Sequence, residues 1–122
     1  MGTPWTQLKR ADADGWTGWV PVASLLIQGD GKERPWCRGR GRGGQVEWFP
    51  RTSKPPREGL RFALKSPAGH LPGLRRPGWF VVNAYVRKPA AFRPRGEELG
   101  VLPDAELAEL YAKLETFYWE AR

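Results

Sequence analysis

Twelve prolines and fifteen glycines punctuate this chain of 122 residues, and neither occurs after Pro103. Proline removes a backbone donor and glycine weakens both regular structures, so long elements belong where they are absent. The chain is therefore expected to carry one long helix, at its C-terminus. There Leu107, Leu110, Tyr111, Leu114, Phe117 and Tyr118 recur at spacings of three and four and form one apolar stripe. Glu106, Glu109, Lys113 and Glu120 fall on other faces, with Glu109 four residues before Lys113, a mildly favourable pair. Asp104 is placed to cap the helix, with Pro103 in its entry turn.

Upstream the pattern shortens to β-type runs. Trp16–Ile27, Gln45–Arg51, Leu60–Lys65 and Trp79–Arg87 read as strands, the last the clearest. Between them lie Gln28–Gly31, a basic glycine-rich loop at Lys32–Gly44, Thr52–Gly59 and Ser66–Gly78. A short helix near Thr6–Asp12 is a further candidate. The expected fold is α+β: an antiparallel sheet of about four strands with the C-terminal amphipathic helix packed on one face. The length suits a single domain over 1–122, with a basic sheet and loop region at 16–88, a linker at 89–102 and the helix at 103–121. Four strands followed by a helix is an order similar to that of the Whirly-type and PUR-repeat single-strand binders, a likeness of element order that transfers no residues.

Charge points to function. Lys32 to Arg76 holds twelve Lys or Arg against three acids, a local balance of +9, whereas the whole chain is +7 and the remainder therefore −2. From Glu97 onward seven acids face Lys113 and Arg122, so the helix end is acidic. Such a concentration of positive charge calls for a counter-charge, most often a nucleic-acid backbone.

Alternation refines this reading. If Phe80, Val82, Ala84 and Val86, with Leu60, Phe62 and Leu64, face the helix, the opposite face displays Trp79, Tyr85, Phe49, Arg51, Arg61, Lys65 and Arg87. Rings held on a sheet stack on unpaired bases, and flanking cations neutralise phosphates. Trp36 and the run Arg38-Gly-Arg40-Gly-Arg42-Gly-Gly44 extend the surface; that run resembles RGG-type segments that order on binding. The expected function is binding of single-stranded DNA or RNA with low sequence specificity, without enzymatic activity. The bland counterpart is a second small core or a protein interface on the same face.

Other chemistry is thinly represented. His70, the one histidine, sits in a Pro/Gly loop and reads as a surface residue; Cys37, the one cysteine, excludes an internal disulfide and a cysteine metal cluster. No metal site and no cofactor are expected. Asp12 with Asp14, read first as turn chemistry, and Glu97 with Glu98, read as starting a helical turn, give the weaker alternative of a metal-dependent nuclease. A module docking on an acidic protein partner is the other rival. The wide helix stripe, ending in Phe117, Tyr118 and Trp119, suggests a homodimer through the helix. No run approaches a membrane span and the N-terminus lacks an apolar signal core, so a cytoplasmic protein is expected. Arg outnumbers Lys by 14 to 6 and thermolabile residues are scarce, which hints at a thermophilic source, although GC-rich coding gives the same bias.

Overall fold

The computed structural model of the chain describes residues 14–21, 33–94 and 97–121. It is α+β: one antiparallel sheet with a single C-terminal helix packed on it. The strands are β1 (Trp16–Pro21), β2 (Glu33–Arg42), β3 (Gln45–Thr52), β4 (Ala63–Ser66), β5 (Gly78–Val81), β6 (Val86–Pro89) and β7 (Glu97–Val101), followed by helix α1 (Asp104–Glu120). Their order across the sheet is β4-β5-β3-β2-β1-β7, with β6 also paired to β3. β2 takes one edge of β3, while β6 and β5 share the other edge, β6 along Gln45–Trp48 and β5 at Arg51–Thr52.

Seven strands form where about four were expected, and each difference has a local cause. The glycine-rich run is not a flexible loop but the second half of β2. Gly43 (φ +56°) and Gly44 (φ +79°) make the tight hairpin turn to β3, whose backbone needs two consecutive left-handed residues. Gly39 sits where a Cβ would lie 2.5 Å from the Tyr111 hydroxyl, so its glycine admits the helix. The run Trp79–Arg87 splits into β5 and β6 because the chain turns at Val82–Tyr85, where Val82 N donates to Phe62 O and Tyr85 N to Val82 O. The linker 89–102 contains β7, since the outer edge of β1 takes Glu97 and Glu98 as ladder partners in place of a helical turn. Residues 22–27 of the expected first strand, and the candidate helix at Thr6–Asp12, lie outside the described residues.

Both faces of the sheet are buried in its middle. Toward α1, Cys37, Phe49, Phe80 and Val82 meet Leu107, Leu110, Tyr111 and Leu114. On the far face Trp16, Trp36, Val46 and Trp48 form a second core, with the Trp16 and Phe92 rings edge-on to Trp48 at 6.1 and 5.9 Å. β3 therefore contributes Phe49 to one core and Trp48 to the other. The helix begins after Pro103 without a side-chain cap; Asp104 is its first residue and, with Glu106, favours the helix dipole instead of capping it. Lys113 Nζ donates to Ala63 O at 2.7 Å and ties the middle of α1 to β4.

Phe49→Ala is expected to lower the unfolding free energy by about 3–5 kcal/mol through cavity formation. Leu60→Ala, at an exposed site, should stay within about 0.5 kcal/mol. Urea unfolding of the two variants checks the contrast.

Candidate nucleic-acid interface

Pairing of β2 with β3 sets Trp36 opposite Pro50. Arg34 and Thr52 follow two residues further along the same two strands. By alternation from Trp36 and Trp48, both side chains lie on the sheet face away from α1. They line a cleft of about 470 Å³. Its other walls are Lys54, Pro55, Pro56, Arg57, Glu58 and Phe62 from the β3–β4 connection, and Val81, Asn83 and Ala84 after β5. The prolines fix φ on one wall, so less loop entropy is lost when a ligand binds.

The cleft is cationic: Arg34, Lys54 and Arg57 against Glu58. Arg34 Nε is buried and has no hydrogen-bond partner among the described residues. An unsatisfied buried donor costs about 1–3 kcal/mol, a cost an incoming anion removes by accepting its proton. Thr52 Oγ1 accepts from Lys54 N at 3.2 Å, which leaves the hydroxyl proton to donate elsewhere. A half-buried arginine with a buried Nε, a hydroxyl and flanking ammonium and guanidinium groups form a phosphate-binding set.

The residues singled out in the sequence are scattered instead of assembled. Trp36 (3% exposed) and Phe49 (0%) are core residues on opposite faces, so neither ring offers a stacking surface. The choice of face for β3 was inverted: Phe49 points under α1 because both of its alternating sets are apolar enough to be buried. Arg51 shares that face and is buried, donating to Ser66 Oγ at 2.9 Å, Ser66 O at 2.8 Å and Arg76 O at 2.6 Å. Arg38 is buried and pairs with Asp14 at 3.3 Å. Arg40 lies over the Tyr111 ring. Arg42 contributes backbone pairing to the hairpin end. Arg61 is paired with Glu120 and lies over Phe62. Arg87 donates to the Tyr118 hydroxyl at 2.7 Å and covers the rings of Tyr85 and Tyr118, so the Tyr85 face is already occupied. Lys65 and half-buried Trp79 are cross-strand partners, and Trp79 also pairs with Thr52. These two alone of the expected platform lie together beside the cleft.

His70 is not a simple surface residue: it bridges Ser66 Oγ (2.7 Å) and the Glu106 carboxylate (2.8 Å), joining the β4 end to the first turn of α1. Ser66 is fully buried, so this Ser-His-Glu line is a structural tie without a reachable nucleophile. Of the acidic pairs, Asp12 lies outside the described residues, Asp14 serves Arg38, and Glu97 and Glu98 lie in β7. Among the described residues no three His, Cys, Asp or Glu side chains converge as a metal site. None of the described helices is long and apolar enough to cross a membrane. Arg34, Thr52, Lys54, Arg57 and Glu58 were not singled out in the sequence. Their signal was the basic loop Thr52–Gly59 and the hairpin register, neither of which names a site until β2 is known to be a strand.

No protein-family model matches this chain, and no curated protein does. Among solved structures it is similar to the crystal structure of MazF from Deinococcus radiodurans, with a TM-score of 0.59 and 24% sequence identity over 86% of this chain and 94% of that one. The likeness is one of fold. The expectation of a chain without enzymatic activity is withdrawn on this likeness.

Arg51, taken in the sequence for a phosphate-binding cation, is placed to hold β3 to the β4–β5 loop. Arg51→Ala should therefore destabilise the fold by about 1.5–3 kcal/mol and, at a temperature where it stays folded, leave oligonucleotide affinity unchanged. Paired denaturation and binding titrations check this; weaker binding at unchanged stability would return Arg51 to the interface.

Proposed function

We propose that this chain binds single-stranded RNA and cleaves it at the Arg34–Thr52 cleft. The observation that carries the reading is the buried Arg34 Nε without a partner at the wall of a cationic cleft. The MazF-like fold supports it. Lys65 and Trp79 extend the surface beside the cleft, one to neutralise a phosphate and the other to stack on a base. Phosphate contacts position the strand without reading its sequence.

The chemistry follows from the groups at hand. The 2′-hydroxyl of the RNA is the nucleophile, and Glu58, the one carboxylate lining the cleft, takes its proton. The 2′-oxygen bonds to the adjacent phosphorus, the bond from phosphorus to the 5′-oxygen breaks, and the proton passes to that departing oxygen. The products are a 2′,3′-cyclic phosphate and a 5′-hydroxyl. Negative charge grows on the non-bridging oxygens in the transition state. Arg34 and the Thr52 hydroxyl are preorganised donors for that charge, which is where such donors lower a barrier most. The nucleophile belongs to RNA alone, so DNA of the same sequence is bound and not cut.

Arg34→Ala is expected to reduce the cleavage rate about 10²–10³-fold, as loss of one transition-state donor does. It should also lower the salt slope of binding by about one counterion. Gel analysis of an end-labelled RNA, with a strand carrying one 2′-deoxy substitution at the cut site as control, checks both. Cleavage of the deoxy strand at that site, or full activity in Arg34→Ala, would sink the reading.

A homodimer through α1 belongs to the same proposal. Leu107, Leu110 and Leu114 are already buried on the sheet, and Phe117 and Tyr118 are partly covered by Phe62 and Tyr85. Trp119, 72% exposed near the end of the same helix, offers apolar surface to a second copy. Trp119→Ala should then shift the sedimentation coefficient from dimer to monomer; a wild-type monomer at micromolar concentration would contradict the dimer.

A further inference from the structure

A second cavity lies on the other side of the sheet, between the β2–β3 hairpin and α1, with a volume of about 310 Å³. Its floor holds a carboxylate that the proposed cleavage does not use. Glu47 is 4% exposed, and a buried carboxylate needs donors. One oxygen, Oε2, lies 3.2 Å from the Tyr111 hydroxyl. That hydroxyl has a single proton and a nearer acceptor, Arg40 O at 2.9 Å. The other oxygen, Oε1, has Arg87 Nε at 4.0 Å, beyond hydrogen-bond reach. Glu47 and Arg87 are direct cross-strand partners of β3 and β6, so their spacing is set by the sheet. Tyr118 forms a further wall. Burial, followed by the Glu47 charge, pushes the Tyr111 hydroxyl well above the usual phenol range, and burial with the Tyr85 contact pushes Tyr118 up to about 12. Both rings therefore keep their protons at neutral pH.

We infer that this cavity is a base-binding site selective for guanine. The edge of guanine presents an acceptor, O6, beside two donors, N1–H and N2–H₂. Glu47 accepts from the two donors and Arg87 donates to O6, which fills the gap between them, while Tyr118 walls the cavity. The other bases fit worse for stated reasons. Adenine has no donor at N1. Uracil sets an acceptor on either side of its single donor and so places O2 against the carboxylate. Cytosine offers one donor beside an acceptor. Only the RNA source of the base rests on the cleavage proposal, for the geometry serves equally a free guanine nucleotide.

Calorimetric titration of the full chain with guanosine, adenosine, cytidine and uridine 5′-monophosphates tests the site without any cleavage. The guanine nucleotide should bind about tenfold or more tightly than the other three, and Glu47→Gln should remove most of that preference. If Glu47→Gln does not fold, Arg87→Met carries the test, since that side chain is half exposed at the sheet surface. Uncleavable 2′-O-methyl strands with and without guanine separate the two sources. Tighter binding of the guanine strand, displaced by the free nucleotide, assigns the site to RNA; binding of the mononucleotide alone assigns it to a free nucleotide. Either keeps the site, even where no RNA is cut. Equal affinity for all four nucleotides, no binding at all, or a preference untouched by the folded variants overturns it.

Discussion

β3 is paired along both edges and buried on both faces, and the rest of the molecule takes its position from that strand. A strand so enclosed must pair its inner backbone donors and acceptors and bury its inner side chains, Val46 to Arg51. The two-glycine turn after β2 fixes the register on one edge, and β6 and β5 divide the other. A slip of one residue would move Phe49 out from under α1 and put Trp48 there, exchanging the contents of two cores at once. That penalty is what specifies Trp36 opposite Pro50, two residues short of Arg34 and Thr52, and Glu47 opposite Arg87 toward the other end. Both candidate sites are consequences of one register.

The cations divide into two populations with different work. Arg51 and Arg38 are buried and spend their donors within the chain, on the β4–β5 loop and on Asp14. Lys54, Arg57 and Lys65 are exposed around the far-face cleft. Arg34 stands between these groups, with part of its guanidinium buried but unanswered. A guanidinium held in this way gains from an anion what the structural arginines already have, which is why it outranks the more numerous exposed cations as the centre of the site.

The C-terminal helix was legible in place and face, though not in its cap, because a 3.6-residue stripe from Leu107 to Leu114 can serve only one face. The strands were legible as apolar runs, but their faces were not. Choosing a face by apolarity assumes that one side meets water, whereas Val46 and Trp48 fill a second core opposite Phe49. The run Arg38–Gly44 read as a loop because glycine lowers strand propensity. Its glycines answer tertiary demands instead, the approach of Tyr111 at Gly39 and the hairpin turn at Gly43 and Gly44. Arg51 was counted as a surface charge since nothing in sequence announces the Ser66 and Arg76 oxygens that receive it. The cleft was illegible for the same reason: Arg34 and Thr52 are eighteen residues apart and line one cleft only in the folded hairpin.

The measurement that tests this account most directly is a residue-resolved footprint of a bound strand. Backbone amide shifts would be followed by NMR as an uncleavable single-stranded RNA analogue is added. Perturbations concentrated at Arg34, Thr52, the Lys54–Glu58 loop and Asn83, with Lys65 and Trp79 at their margin, are the predicted result. Shifts centred on Arg75, Arg76 and the outer face of α1, with the cleft silent, would contradict the claim that Arg34, whose buried Nε has no partner among the described residues, marks the site.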